Sequence, residues 1–214
     1  MRAPEQLGPY LLRQSDHCFP LGRDTLLLGA FATLRRGWRV CDLGCGGGAL
    51  PLLLLGRESG LTVTGVEIDE ADAALARRNL AENGLAGEIY AADLRRVREF
   101  LPAGGFDLVV SNPPYFTQGS GSSGGPARME ERCTFAQVCT AAAYLLKSGG
   151  RFALVHRPER LCALLADLTG CGLEPKRMQM LQHSPAKPPS AVLLEAVRQG
   201  RAGLEVLPVQ YETR

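Results

Sequence analysis

The sequence predicts an α/β domain with a doubly wound, mostly parallel sheet. Short apolar stretches rich in β-branched residues alternate with longer helical patterns, which favours parallel strands joined by right-handed helical crossovers. A glycine-rich turn follows the first of these stretches, at the position where such sheets bind nucleotides. The length of 214 residues suits one domain of this class and is short for two.

The predicted strands and helices alternate from Trp38 onwards. Pro51 falls in the first turn of the first predicted helix, where its missing backbone donor costs little. Asn83-Gly84 ends the second helix, and the turn at 148–150 ends the third. In order, we predict a strand over 38–43, a helix from 48, a strand over 61–67, a helix over 70–83, strands over 88–92 and 106–110, a helix over 135–147, a strand over 151–156, a helix over 158–171, and strands over 176–182 and 191–197.

One stretch interrupts the alternation. Residues 118–126 (QGSGSSGGP) are rich in glycine and serine and cannot bury enough apolar area to offset their ordering entropy. Because the alternation resumes afterwards, we predict a mobile loop inside a domain rather than a linker between domains. The whole chain, 1–214, is therefore predicted to be a single domain.

Composition narrows the class of protein. A hydrophobic content of 45% and a charged content of 21% are ordinary for a globular chain. The longest apolar run, 49–55, is far shorter than the roughly 18 residues of a membrane span, and the N-terminus lacks the apolar core of a secretory signal. Seven cysteines without a CxxC spacing favour neither a disulfide framework nor a zinc site. We therefore expect a cytoplasmic protein with reduced cysteines, no membrane contact and no metal.

Arginines cluster locally, although the net charge of +2 says little about partners. Each cluster can contact a phosphate backbone or form an ordinary solvated helix face, and the second interpretation is favoured for any cluster alone. The clusters are Arg35 with Arg36 and Arg39, Arg77 with Arg78, and Arg95 with Arg96 and Arg98.

A glycine-rich motif joins the first predicted strand to the first helix. Residues 42–48 (DLGCGGG) let the backbone turn sharply and approach a ligand with no side chain in the way. Glu67 ends the second strand 21 residues after Gly46, where a carboxylate can accept both ribose hydroxyls of an adenosine-containing cofactor. The spacing Gly44-x-Gly46-x-x-Ala49 also satisfies the looser pattern of dinucleotide-binding folds, so a dinucleotide cofactor stays open.

Two further carboxylates favour S-adenosylmethionine over a dinucleotide. Asp42 lies two residues before Gly44, where it can face the ammonium group of that cofactor and would repel a pyrophosphate. Asp93 follows the third predicted strand and can accept a hydrogen bond from the adenine amine. A helix N-cap before Leu94 is an alternative role for Asp93, and the two roles are compatible.

The fourth predicted strand runs into the motif SNPPYF at residues 111–116. Two prolines cannot continue a central strand, so the chain leaves the sheet at its carboxyl edge, where ligands bind. The prolines keep the backbone extended and aim the Asn112 side chain and the Pro113 carbonyl as acceptors. Those two oxygens can receive both hydrogens of a planar amine and free its lone pair for attack on a sulfonium methyl group. After Pro114, Tyr115 would stack on a flat substrate such as an unstacked base.

A proline-rich turn whose asparagine bonds its own backbone is the alternative interpretation of this motif. It is disfavoured because the motif follows a strand of a chain that also carries the glycine motif and Glu67. The motif is therefore the strongest chemical signal in the sequence.

These residues resemble the amino-methylating methyltransferases that carry an Asn-Pro-Pro-Tyr motif. The resemblance is closest to the bacterial tRNA adenine-N6 methyltransferases that modify the adenine beside the anticodon of a valine tRNA. It is carried by 19–31 (FPLGRDTLLLGAF), by the core from DLGCGGG to SNPPYF, and by 156–161 (HRPERL) with 174–177 (EPKR). It implies a class I, Rossmann-like methyltransferase with a seven-stranded sheet whose last strand is antiparallel. It also implies S-adenosylmethionine as the cofactor and tRNA as the partner.

The resemblance further implies roles for single residues. Thr25 lies in a region similar to the segment that closes over the cofactor, although a helix N-cap explains the neighbouring Asp24 equally well. Within the single domain, 1–37 is then the cofactor-closing segment, 38–157 the cofactor and catalytic core, and 158–214 the C-terminal helix and closing strands. The implied catalytic residues are Asn112, Pro113, Pro114 and Tyr115, and the matching cofactor positions are Gly44, Gly46, Glu67 and Asp93.

One departure from the family pattern, and the Gly/Ser-rich loop that precedes it, bear on the substrate more than on the cofactor. Residues 127–130 (ARME) resemble an Ala-Arg-His-Glu stretch in which Met129 replaces the histidine. His156, Arg157 and Arg160 would face RNA phosphates, or they mark only the end of a strand and the start of a helix.

The sequence leaves three functions open. The preferred one is tRNA adenine-N6 methylation. A second applies the same chemistry to a guanine of ribosomal RNA or to a protein glutamine, although the about 37 residues before the first strand leave little room for the extra N-terminal domain of glutamine enzymes. The third is a dinucleotide-dependent oxidoreductase or a non-catalytic RNA-binding module, because a fold alone does not settle function.

Overall fold

The computed structural model of the protein describes residues 3–15, 21–113 and 133–211. Within these ranges, strands and helices alternate as the sequence predicts. In chain order the elements are β1 (Glu5–Leu7), β2 (Tyr10–Leu12), α1 (Arg23–Phe31), β3 (Arg39–Leu43), α2 (Ala49–Arg57), β4 (Thr62–Glu67), α3 (Glu70–Glu82), β5 (Gly87–Ala91), a 3-10 helix (Leu94–Glu99), β6 (Phe106–Ser111), α4 (Phe135–Leu145), β7 (Leu146–His156), a second 3-10 helix (Pro158–Arg160), α5 (Leu161–Gly170), β8 (Leu173–Gln182), β9 (Ala191–Arg198), β10 (Glu205–Val206) and β11 (Gln210–Tyr211).

Nine strands of the described residues form one central sheet. The strands β5, β4, β3, β6 and β7 lie side by side in parallel. β9 then pairs with β7 and with β8 in antiparallel fashion, so the last of the seven long strands runs against its neighbours. This order confirms the predicted doubly wound, mostly parallel sheet. The two-residue strands β10 and β11 extend the outer edge of β8 and were not predicted, because two residues carry no periodicity.

Helices cover both faces of the sheet. Successive residues of β7 belong to different buried clusters, since side chains alternate across a strand. Ala153 and Val155 pack in the cluster that includes residues of α1, α2 and α3, whereas Phe152 and Leu154 pack in the cluster with residues of α4 and α5. Two cores therefore hold the central strands from opposite sides, as expected for strands that are apolar on both faces.

The boundary between α4 and β7 differs from the prediction. The helix ends at Leu145 rather than at 147, and β7 begins at Leu146, which pairs with Phe106 of β6. The next pairing joins Leu108 to Arg151, so the predicted turn is absorbed as an irregularity inside a longer strand. Pairing with β6 therefore keeps residues 148–150 within a strand, although their glycines by themselves indicate a turn.

The N-terminal segment contains a hairpin that the sequence analysis missed. β1 and β2 pair in antiparallel fashion, and the chain beside them is bound by Asn79 of α3 and by Asn83, the C-cap residue of that helix. Asn83 accepts a hydrogen bond from the Leu11 N–H at 2.8 Å and donates to the Leu11 carbonyl at 2.8 Å. Asn79 makes the same pair of bonds with the backbone of Arg13, at 2.9 and 3.0 Å.

Several predictions fall on residues that the structure does not describe. These are Pro114, Tyr115, the loop over 118–126 and the stretch over 127–130. Among the helices that are described, none is long and apolar enough to cross a membrane. In the same part of the chain, no three histidine, cysteine, aspartate or glutamate side chains are grouped as a metal ion would require.

Candidate functional site

The candidate site lies at the carboxyl ends of β3, β4 and β6. From β3 the sheet continues through β4 on one side and through β6 on the other. Open α/β sheets bind ligands at such a reversal of strand order. The structure therefore brings three predicted residues to one edge, Asp42 in β3, Glu67 at the end of β4, and Asn112 directly after β6.

The glycine loop between β3 and α2 lines open space. Gly44 and Gly46 have φ angles of +80° and +49°, in the left-handed region that favours glycine. A Cβ atom added at either position would meet nothing within 4 Å. The loop is held at its start by Gly44, whose N–H donates to the Val66 carbonyl at 2.8 Å. This arrangement leaves a cradle in which a ligand can approach the backbone.

Glu67 supports the glycine loop from the neighbouring strand. Its Oε2 accepts a hydrogen bond from the Gly46 N–H at 2.9 Å, and its Oε1 accepts from the Asp69 N–H at 3.0 Å. Each carboxylate oxygen has a second lone pair. Glu67 can therefore hold the loop and still accept two hydroxyl groups, as the predicted ribose contact requires.

Asp42 is a buried carboxylate with an unsatisfied oxygen. Its side chain is 2% exposed, and Oδ1 has no hydrogen-bond partner among the described residues. Burial, and then the negative charge of Glu67, raise its pKa to about 8. An unpaired polar atom in the interior is costly, and a donor or a cation from a ligand could satisfy this oxygen.

Asp93 is the N-cap residue of the first 3-10 helix, which was the alternative role considered for it. Oδ1 accepts from the Arg95 N–H at 2.9 Å, and the Arg95 guanidinium bonds to both carboxylate oxygens. The hydrogen bond from the Arg95 side chain lowers the pKa of Asp93. A ligand amine at this position would share the carboxylate with Arg95.

Asn112 lies where β6 ends and the proline motif begins. The preceding Ser111 donates from Oγ to the Leu43 carbonyl at 2.7 Å, which ties the end of β6 to the end of β3. The Asn112 side chain donates from Nδ2 to Oγ1 of Thr25 at 2.8 Å, across 87 residues of sequence. Its NH2 group is thus bound to another element, unlike the local turn in the alternative interpretation. Pro113 is buried beside it.

Thr25 belongs to the first turn of α1, where Gly22 is the N-cap residue. The N-cap interpretation of Asp24 is therefore wrong, and Asp24 is a first-turn acidic residue instead. Its position still suits a carboxylate, because the N-terminal end of a helix carries a partial positive charge.

A family comparison decides the class of protein. The family model of the methyltransferase small domain matches residues 23–167, which include the glycine loop, Glu67, Asp93 and Asn112. The chain belongs to this family. The match confirms the prediction that the chain carries a methyltransferase domain.

Similar proteins fall in the same class. The tRNA1(Val) (adenine(37)-N6)-methyltransferase of Dickeya chrysanthemi is 36% identical over 147 residues, which are 65% of this chain and 58% of that protein. The protein of the same name from Serratia proteamaculans is 35% identical over 65% of this chain and 56% of its own length. The matches thus span less than two thirds of either relative. The crystal structure of a predicted O-methyltransferase from Agrobacterium tumefaciens superposes with a TM-score of 0.72 and 26% identity, over 88% of this chain and 86% of that one.

His156 of this methyltransferase domain is a buried residue at a strand end, not a surface contact for phosphates. It is 1% exposed, and its Nδ1 accepts from the Arg157 N–H at 2.8 Å. Its ring lies edge-on to Phe135 with centroids 5.9 Å apart. Burial, and then the nearby charge of Arg160, lower its pKa to about 4, so it is neutral at physiological pH.

The predicted arginine clusters are largely engaged with the protein's own surface. Three arginines pair with glutamates on or beside their own helices, and three others lie over aromatic rings. The ion pairs are Arg77 with Glu70, Arg78 with Glu82, and Arg96 with Glu99. The ring contacts are Arg35 with Trp38, Arg39 with Phe106, and Arg98 with Tyr144. The favoured interpretation of these clusters, as solvated faces, agrees with these contacts.

Sequence reasoning missed Asn79 as a support of the site. Its side chain is 1% exposed and donates to the Gly47 carbonyl of the glycine loop at 2.8 Å, besides its bonds to Arg13. It falls on the buried stripe of α3 with Ala76 and Leu80. A polar residue within an apolar helical stripe was the available signal.

Proposed function

We propose that this protein transfers a methyl group from S-adenosylmethionine to the exocyclic amine of an adenine in tRNA. The observation that carries the proposal is the placement of Asn112 beside the glycine loop, with its NH2 group bound to Thr25. That bond directs Oδ1, on the other side of the planar amide, away from α1 as an acceptor for an amine. The names of the curated relatives support the adenine beside the anticodon of a valine tRNA as the target. Such an enzyme acts in the cytoplasm.

The residues of the glycine loop fit the cofactor. The unsatisfied Oδ1 of Asp42 would accept from its ammonium group, and Glu67 would accept both ribose hydroxyls with its remaining lone pairs. The space beside Gly44 and Gly46 leaves room for its backbone contacts. When bound, S-adenosylmethionine supplies an electrophilic sulfonium methyl group.

Two further residues complete the proposed cofactor site. Asp93 would accept a hydrogen bond from the adenine amine while it remains the N-cap of its helix and the partner of Arg95. Thr25, on α1, would border the site on the side of Asn112.

The chain's own part in the reaction is to position the amine. Oδ1 of Asn112 and the Pro113 carbonyl would accept its two hydrogens, which draws the nitrogen toward tetrahedral geometry and frees its lone pair. No strong base is required, because the proton becomes acidic only after the nitrogen has gained a fourth bond. Pro114 and Tyr115 complete the proposed motif outside the described residues, with Tyr115 stacked on a base that has left the RNA stack.

A comparison of acceptors tests the substrate class. Labelled S-adenosylmethionine is offered with unmodified tRNA, with ribosomal RNA and with total protein in separate reactions. We expect label in tRNA, and none with the Asn112→Ala variant. Label in ribosomal RNA or in protein glutamines would replace the proposal with the second function. Cofactor binding without any transfer would leave a non-catalytic RNA-binding module, and binding of a nicotinamide dinucleotide instead would indicate an oxidoreductase.

A further inference from the structure

The carboxamide of Asn112 has two nearly isosteric orientations with opposite chemistry. Rotation by 180° about its last torsion exchanges the oxygen, which accepts hydrogen bonds, with the NH2 group, which donates them. A substrate amine also carries N–H donors. Only the orientation that presents Oδ1 can bind and polarise that amine, so a reaction at this site needs something that selects the orientation.

Thr25 is placed to make that selection. Its Oγ1 accepts from Nδ2 of Asn112 at 2.8 Å. In this arrangement the NH2 group is engaged by Thr25, and Oδ1, on the opposite side of the planar amide, is left as an acceptor. Without the Oγ1 acceptor the NH2 group would lose this partner on α1, and the bond would no longer favour this orientation of the amide.

The helix that carries Thr25 is seated firmly on the core. At Gly29 a Cβ atom would lie 3.1 Å from Cβ of Leu53, so α1 and α2 approach closely. The guanidinium of Arg57, at the end of α2, bonds to the carbonyls of Gly29 and Ala32. Since α2 also begins at the glycine loop, the Thr25 hydroxyl has a fixed place relative to both the cofactor site and Asn112.

We propose that Thr25 is a positioning residue that holds the Asn112 carboxamide with Oδ1 toward the substrate amine. The inference rests on the proposed amino-methyltransferase activity and adds to it the element that orients the amide. It differs from a cofactor contact by Thr25, because it acts on the methyl acceptor rather than on the methyl donor.

Two conservative substitutions of Thr25 test the inference. Thr25→Val keeps the side-chain shape and removes the acceptor, whereas Thr25→Ser keeps the hydroxyl and removes only a methyl group. We expect Thr25→Val to lower kcat about ten- to a hundredfold, the range for loss of one hydrogen bond with an unsatisfied partner. Thr25→Ser should stay within about threefold of the wild type. Because Thr25 also borders the proposed cofactor site, the affinity for S-adenosylmethionine, measured by calorimetry, should fall by a smaller factor than kcat in Thr25→Val and stay near that of the wild type in Thr25→Ser.

NMR of the Asn112 side-chain amide gives a readout that does not depend on turnover. In an ¹⁵N-labelled protein, the side-chain NH2 resonances of Asn112, assigned through Asn112→Ala, should be protected from hydrogen exchange. Thr25→Val should remove that protection and Thr25→Ser should retain it. In the Asn112→Ala background, Thr25→Val should cause no further loss of activity, because the group that it orients is gone.

The remaining outcomes contradict either the positioning role of Thr25 or the proposed function. Unchanged kcat and unchanged NH2 protection in Thr25→Val would refute the positioning role while leaving the proposed function intact. A weaker cofactor affinity with normal kcat at saturation would make Thr25 a cofactor contact instead. If the wild type transfers no methyl group to any amine, the proposed function fails, and the NH2 protection reports only a structural bond.

Discussion

Binding of S-adenosylmethionine is expected to depend on pH through Asp42. Burial and the nearby charge of Glu67 raise the pKa of Asp42 to about 8. Below that pH the free protein therefore carries a neutral Asp42, whereas the proposed contact with the ammonium group requires the carboxylate. Binding must then release a proton below pH 8.

The magnitude follows from the two charged fractions. The ionised fraction of Asp42 rises from about 1% at pH 6 to about one half at pH 8. The amino group of the cofactor, with an ordinary pKa of about 8, loses about half of its charge over the same interval. Their product rises about 25-fold, which is the expected gain in the association constant. Above pH 8 the association constant falls again as the ammonium group loses its proton.

Calorimetric titrations at pH 6, 7 and 8 measure the association constant and the release of protons. Repeating each titration in two buffers of different ionisation enthalpy gives the number of protons released, which should be close to one at pH 6. The matched control is Asp42→Asn, which keeps the side-chain shape, should bind more weakly at pH 8, and should release no proton. An affinity that stays constant from pH 6 to 8 with no proton released would show that Asp42 does not meet the ammonium group.

The same shift affects the stability of the protein without cofactor. The folded pKa of Asp42, about 8, lies above its ordinary value of 3.8, so the folded state holds an extra proton between these pH values. The contribution of Asp42 to the free energy of unfolding is therefore largest at the acidic end of this window and decreases as the pH rises to 8.

Substitutions at three positions, with their controls, test other parts of the site. Asn112→Ala should lower kcat by about 100- to 1,000-fold with unchanged cofactor affinity; near-normal turnover would reject the proposed mechanism. Glu67→Ala should weaken cofactor binding about ten- to a hundredfold in a calorimeter, and Glu67→Gln, with one acceptor oxygen left, should lose less; equal affinity in all three proteins would remove Glu67 from the site. Asn79→Ala should reduce the free energy of unfolding by about 2–4 kcal/mol in urea, because three partly buried backbone groups lose their partner. The more exposed Asn83→Ala is its control, and an equal loss in both would argue against a special role for Asn79.

The long elements and the edge that holds the site could be predicted because their signals are local. Alternating apolar strands and helices give the sheet, and the carboxyl ends of parallel strands meet at one edge. Asp42, Glu67 and Asn112 each follow or end such a strand, so their convergence was predictable from their positions alone. The roles assigned to them stay predictions until cofactor and substrate binding are measured.

Features that depend on long-range pairing could not be predicted. The three-residue strands of the N-terminal hairpin are too short for a period, and β7 starts early only because Leu146 pairs with Phe106. The bond between Thr25 and Asn112 joins residues 87 positions apart, a distance at which spacing carries no information. Asp93 shows the opposite case, because its N-cap role is local and was considered from the sequence.

The proposed function requires the methyl group to go to the exocyclic amine of adenine in tRNA. The most direct measurement uses S-adenosylmethionine with a trideuterated methyl group, unmodified tRNA, and mass spectrometry of the digested nucleosides with fragmentation of the labelled product. We expect adenosine that carries the label on N6 and no such product from the Asn112→Ala variant. Label on a ring nitrogen or on a ribose oxygen, or a labelled nucleoside that still forms with Asn112→Ala, would contradict it.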